Sequence, residues 1–409
     1  MGSYRLRCLE CGAMLSKGAT CREHKGLLRT EYESEQIRLN DEKSVFKFID
    51  WLPADNILPS GAAPVAFRNE RMNKDLGIGD VWIGFTGYYP ERGAFVKSCS
   101  FKEMEALPTL AMTDPDKKIV VASAGNTGRA FAHISNEFGI PGVVVIPERS
   151  KDRIWVPEDK GMTKVIAVKG DYADAIEVAG RISKREGYVA EGGARNIARR
   201  DGMGTVVLES VISMERIPER YFQAIGSGTG AISAWEASMR LMNDGRFGSK
   251  LPELHLSQNS PFTPMKNAWD AGRRNIIPED LGDHERSIPS VFADVLTNRS
   301  PPYGIIGGVF DAMKACSGSM YSVTNEEAKE AGKIWQEYEN AELDPAAMVA
   351  FASLLKAAAD TAFEGTTLLN ITGAGYDRVK EDVSIHDLRI HSTIRTDIDD
   401  RELEGILNE

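Results

Sequence analysis

From residue 118 onward, short β-branched runs alternate with helical stretches, and this alternation limits the fold more than any other feature of the chain. Strands are expected over 118–123, 142–146, 165–168, 188–190, 221–225, 253–256 and 366–371. Helices are expected over 129–138, 172–185, 204–214, 231–242 and 346–362. A strand, a helix and a further strand feed a parallel sheet, whose two faces the helices then cover. The expected fold is therefore α/β, in two lobes of parallel or mixed sheet flanked by helices. A smaller, mobile lobe spans 110–200, and a larger one is assembled from 46–109 and 201–390. Residues 283–322 are broken by Pro289, Pro301, Pro302 and several glycines, and read as loops around a short helix at 310–316.

The two ends read differently. Cys8-x2-Cys11 and Cys21-x2-His24 form two ligand pairs with knuckle-like spacing, so residues 1–45 are expected to carry a zinc-ribbon-like segment with a closed, structural site. The nine residues between the pairs are fewer than most ribbons use, and three reduced thiols beside a solvated imidazole are the competing reading. Residues 391–409 hold Asp397, Asp399, Asp400, Glu402 and Glu404 and are expected to be a solvated acidic tail. A formal charge of -11 argues against a nucleic-acid partner, which wants a basic face. No apolar run suggests a membrane span or a secretory core, and five scattered cysteines suit a reducing cytoplasm.

Chemistry is expected at the carboxyl ends of the strands, where open α/β sheets bind ligands. Gly226-Ser227-Gly228-Thr229-Gly230 joins the strand at 221–225 to the helix at 231–242. Its freed amides, two hydroxyls and helix N-terminus make a cradle for one phosphate monoester. Position 231 is Ala231 where a dinucleotide fingerprint wants glycine, and the Gly-Lys-Ser/Thr of a nucleotide loop is absent. Ser123-Ala124-Gly125-Asn126-Thr127-Gly128 lies at another strand end and offers the Asn126 amide to a ligand oxygen, while Thr372 offers a hydroxyl after 366–371. Ser100 and Glu103 form a capping box that places Lys102 in the first turn of a helix. The helix dipole and burial would both lower the pKa of that amine, leaving a nucleophile suited to a Schiff base with pyridoxal phosphate. Taken singly, each motif has an ordinary alternative: a surface lysine, a turn asparagine, a tight turn without ligand.

Together and in this order, Lys102, the Asn126 loop, residues 226–230 and Thr372 resemble the fold-type-II pyridoxal-phosphate enzymes, the tryptophan synthase β-like group, and within them the threonine synthases. The resemblance covers nearly the whole chain, including the Cys-rich start and Glu342-Leu343-Asp344-Pro345. Ser-Phe-Lys-Asp-Arg of those enzymes is replaced by Ser100-Phe101-Lys102-Glu103-Met104, and Asn-Pro-Thr-Gly by Val96-Lys97-Ser98-Cys99. In that altered form the chain is most similar to the cysteate synthase family, archaeal threonine synthase paralogues of coenzyme M biosynthesis.

The resemblance implies pyridoxal 5′-phosphate as cofactor and replacement of the phosphate of O-phospho-L-serine by sulfite. It implies that Lys102 holds the cofactor and moves the Cα proton, and that Asn126 bonds the ring 3′-oxygen. Gly226, Ser227, Gly228, Thr229 and Gly230 would hold the cofactor phosphate, and Thr372 would face the ring nitrogen. Ser123 and Thr127 are candidates for substrate binding, and Arg92, Lys97, Arg195, Arg199 and Arg200, near the altered segments, are candidate cations. A homo-oligomer is implied as well. The rivals are threonine synthase on O-phosphohomoserine, a phosphoserine sulfhydrylase using sulfide, and a non-catalytic zinc-binding scaffold on the same fold.

Overall fold

Two sheets carry the computed structural model, which describes residues 2–123 and 125–408. The larger runs in the order Ser319–Val323, Glu253–Asn259, Arg220–Ala224, Thr366–Ile371, Asp80–Phe85 and Val65–Phe67. Its strands pair in parallel except for the antiparallel edge at Val65–Phe67. The smaller runs Tyr188–Ala190, Lys118–Ala122, Gly142–Pro147, Thr163–Val168 and Ile390–Ile394, all parallel. Its central strands are continuous apolar runs because both faces are covered. Val121, Val144 and Ile146 pack with Phe131 and Ile134 of the helix Asn126–Phe138. Val120, Val143 and Val145 point the other way, onto Val178 and Ile182 of the helix Tyr172–Ser183.

The acidic end is not a solvated tail. Ile390–Ile394 extends the smaller sheet, and the helix Asp400–Asn408 buries Leu403 and Leu407, one turn apart, against the same core. Its acidic face meets Arg181 and Arg185, which pair with Asp400 and Glu404 at 2.8 and 3.1 Å. The charge run that suggested solvation is one side of an amphipathic helix.

The start of the chain forms a three-stranded antiparallel sheet from Met14–Leu15, Tyr4–Cys8 and Leu28–Tyr32. The strands Asp80–Phe85 and Ser319–Val323, absent from the sequence-based expectation, fill the larger sheet. Among the described residues, no helix is long and apolar enough to cross a membrane.

Two helices set the geometry of the site. Lys102–Met112 begins without the expected capping box. Glu103 instead reaches back to accept from the Ser98 amide at 2.7 Å, and Ser100 Oγ accepts only a 3.4 Å bond from the Lys102 amide. Cys99 takes a left-handed φ of 55°, which turns the chain, and the Phe101 amide donates to the Thr372 carbonyl at 3.0 Å. The lysine is thereby tied to the end of the strand Thr366–Ile371. The second helix, Ile197–Met214, starts well before position 204 because the Asn196 side chain accepts from the Arg199 amide at 3.2 Å and caps it. Gly202 within it has no side chain to spare: a Cβ there would run into the Met104 carbonyl. That close approach sets Lys102 beside Arg199.

Candidate active site

The carboxyl ends of Lys118–Ala122, Arg220–Ala224 and Thr366–Ile371 open on one cleft. Lys102, Asn126 and Thr372 line it, as do Ser123 and Thr127. The glycine loop contributes Gly226, Ser227, Gly228 and Gly230 at the start of the helix Thr229–Asp244. Thr229 does not line the cleft; it is buried, with its hydroxyl 3.0 Å from that of Ser227. Gly230 is needed because a Cβ would collide with the buried Gln223 side chain beneath it. Gln223 is itself fixed, accepting from Tyr221 at 2.7 Å, while Asn370 donates to the same tyrosine oxygen at 2.7 Å.

Arg92 and Lys97 are not part of this cleft. Arg92 forks onto the buried Glu339, with Nη2 2.8 Å from Oε1, and Lys97 sits 3.4 Å from Glu137. Basic character alone did not reveal that each already has a carboxylate partner. Among the described residues, the cations lining the cleft are Lys102 and Arg199. Glu105, fully buried, lies between them, 3.5 Å from Lys102 Nζ and 3.1 Å from Arg199 Nε. Arg199 Nη1 also bonds Glu191 at 2.9 Å. Among the described residues no hydrogen bond engages Nη2, and Arg199 lines the cleft.

Burial lowers the pKa of the Lys102 amine; Glu105 opposes that shift and Arg199 adds to it. Burial raises Glu105, against the pull of Arg199 and Lys102. Although burial works against its charge, Glu105 and Glu191 keep the Arg199 guanidinium more basic than usual. Neither Glu105 nor its link to Arg199 was visible in the sequence, where the two lie far apart.

Asn126 is oriented by a residue the sequence reading did not single out. Arg129, stacked between Trp155 and Tyr376, donates from Nη2 to Asn126 Oδ1 at 2.9 Å and from Nε to the Ser98 carbonyl at 2.9 Å. Its oxygen is thereby engaged, and its NH2 group makes a long 3.4 Å bond to Asp344 Oδ2. Arg129→Met is expected to weaken cofactor binding by about tenfold, the value of one charge-assisted bond. A cofactor titration of the apoprotein followed by absorbance measures this.

Beneath the lysine helix, Glu103 is almost completely buried, with Oε1 3.6 Å from His133 Nε2, which burial pushes down to about 3 and so holds neutral. Burial likewise pushes Glu103 up to about 7 from its ordinary 4.5, although the Ser98 bonds oppose the shift and Lys97 and Glu137 lie nearby. A carboxyl raised on folding stabilises the protein fully below 4.5, and that contribution is lost as pH rises through about 7. Glu103→Gln keeps an acceptor for the Ser98 amide. It is expected to flatten thermal stability between about pH 5 and 8 and to gain about 3 kcal/mol at the upper end. Thermal melts across that range measure it.

The donor set fits a phosphorylated pyridine aldehyde: an amine of lowered pKa, an amide at a helix start, a glycine loop at a helix N-terminus and a neutral hydroxyl. These features and the sheet topology define a pyridoxal-phosphate-dependent enzyme of fold type II. The family described as "Pyridoxal-phosphate dependent enzyme" matches residues 88–373. Solved structures of this fold agree. Threonine deaminase isoform 2 from Solanum lycopersicum superposes with a TM-score of 0.59 at 15% identity, covering 86% of this chain and 96% of that one. Maize serine racemase gives 0.56 at 14%, covering 84% and 92%.

Within that class the similarity is closer to one group. The chain is 51% identical to the cysteate synthase of Methanocorpusculum labreanum, over 97% of this chain and 98% of that one. It is 46% identical to that of Methanosarcina barkeri, covering 97% of each, and 49% to that of Methanocella arvoryzae, covering 94% of each. The chain belongs to the cysteate synthase family of pyridoxal-phosphate-dependent enzymes.

Proposed function

We propose that the enzyme replaces the phosphate of O-phospho-L-serine with sulfite, giving L-cysteate and inorganic phosphate. The observation that carries this reading is its similarity, at 46–51% identity and over nearly full length, to relatives named cysteate synthase. The cleft supports it, because both reactants bring anions and Arg199 offers a buried cation that lines it.

When bound, pyridoxal phosphate withdraws electrons from the substrate's α-carbon, and a neutral Thr372 hydroxyl at the ring nitrogen leaves it a moderate rather than a strong sink. The amides of Gly226, Gly228 and Gly230 would hold the cofactor phosphate, and Asn126 would bond the ring oxygen. Lys102 anchors the cofactor through its amine before substrate arrives. It then takes the proton from Cα as the Cβ–O bond to phosphate breaks, and returns it to Cα once the sulfite sulfur has bonded to Cβ. Ser123 and Thr127, at the same strand end as Asn126, receive the substrate carboxylate. Arg199 meets the departing phosphate and then the incoming sulfite, held in place by Glu105 and Glu191 so that no reorientation is needed.

The lobe at 110–200 is read as the mobile one, closing to keep water from the reacting carbon. Two ion pairs reach across, Arg153–Asp294 at 2.7 Å and Arg299–Asp171 at 2.5 Å, and the second joins the loop beside the cleft to the cap of the helix Tyr172–Ser183. A cytoplasmic homo-oligomer is the working form this reading adopts, on the strength of the family resemblance.

Phosphate release and product formation, measured for three pairs, test the substrate assignment. Phosphoserine with sulfite is expected to be fastest and to yield cysteate and phosphate in equal amounts. Preferred release from phosphohomoserine in water, or cysteine formation with sulfide exceeding cysteate formation, would overturn it.

A further inference from the structure

We propose that Cys8, Cys11, Cys21 and His24 hold one zinc ion in a closed tetrahedral site, and that this site fastens the N-terminal sheet against the start of the helix carrying Arg199. The four ligand atoms lie within 4.8 Å of one another. Cys11 Sγ is 3.9 Å from Cys21 Sγ, and Cys21 Sγ is 3.9 Å from His24 Nδ1. Zinc–sulfur bonds of about 2.3 Å in a tetrahedron separate the sulfurs by about 3.8 Å, so these two separations match a filled site. A disulfide needs about 2.05 Å, and all three cysteines are free. It would also leave one thiol and the imidazole gathered without cause.

The segment needs such a clasp. Residues 16–25 contain no helix or strand and bury no side chain, and the apolar cluster beneath the sheet has only Leu6, Cys8, Leu28 and Ile197 fully buried. A core that small cannot by itself order a segment of this length. Four protein ligands leave no open position on the metal, so its role is structural.

What the clasp holds is next to the chemistry. Thr30 Oγ1 and Tyr32 OH both donate to Asp201 Oδ2 at 2.7 Å, the Leu28 carbonyl accepts from Arg200, and Arg195 donates to the Lys25 carbonyl at 2.9 Å. Ile197, the first residue of the helix, packs in the same cluster as Cys8. The metal thus orders the residues on either side of Arg199, while Lys102 is anchored separately through Thr372. Loss of zinc is expected to disturb anion binding more than cofactor attachment.

Metal analysis of the holoenzyme, purified without chelator, tests the first half. One zinc per chain is expected, released by a thiol-modifying reagent and missing from Cys21→Ser and from His24→Ala. No metal, iron in place of zinc, or a full complement of zinc in both variants would overturn the site. This count does not involve substrate, so it separates a failure here from a failure of the reaction proposed above. The second half rests on that reaction and on kinetics of the depleted enzyme: a severalfold rise in KM for phosphoserine with the cofactor absorbance retained. An unchanged KM in zinc-free enzyme would overturn the coupling to Arg199.

Discussion

Replacing Lys102 with alanine is expected to leave a folded protein that binds pyridoxal phosphate reversibly and turns over at least ~10⁴-fold more slowly. Two functions vanish together, the covalent anchor and the cleft's lysine amine that moves the Cα proton. The fold should survive, because the start of the helix is held by backbone and carboxylate contacts: Phe101 to Thr372, and Ser98 to Glu103. Glu105 loses one partner but keeps Arg199 at 3.1 Å, which limits the stability cost. Phosphate release at saturating phosphoserine and sulfite, compared with the parent enzyme, measures the loss. A variant within tenfold of the parent would assign the proton transfer to another group.

Substitution of Arg199 should have the next largest effect. Arg199→Lys keeps a positive charge but cannot span Glu105 and Glu191 while leaving a donor toward the cleft, because an ammonium lacks the planar fork. A fall of about 10²–10³-fold in kcat/KM for phosphoserine is expected, the usual cost of losing one preorganised donor to a developing anion. Arg199→Leu goes further, leaving Glu191 without its cation and Glu105 with Lys102 alone, at about 3–5 kcal/mol of stability. Part of that loss should return as pH falls, since Arg199 is what chiefly opposes the burial-driven rise of Glu105. Steady-state kinetics of the first variant and melts of the second at several pH values check both. Unchanged kcat/KM in Arg199→Lys would remove Arg199 from the anion site.

The sequence showed where the ligand loops lie because their positions follow from strand and helix periodicity. Asn126, Gly226 and Thr372 each come just after a parallel strand, and parallel strands deliver their carboxyl ends to one edge. Buried charge was not visible in the same way. Glu105 looks like any acidic residue in a helix's first turn, yet it is enclosed with Lys102 and Arg199 by a helix contact that Gly202 permits. Arg92 and Lys97, outside the cleft, show the converse. They were chosen for charge and proximity in sequence, and their carboxylates come from elements no local pattern links to them, Glu339 lying 247 residues from Arg92. The acidic end misled for a related reason, since Leu403 and Leu407 find their core only once Ile390–Ile394 joins the smaller sheet.

The proposed chemistry requires the cofactor to be joined to one lysine in this cleft. Borohydride reduction of the holoenzyme followed by peptide mass mapping tests that directly. One pyridoxyl-tagged peptide spanning Lys102 is the result expected, with loss of the visible absorbance in step with tagging. A tag on any other lysine, or a colourless protein with none, would contradict it.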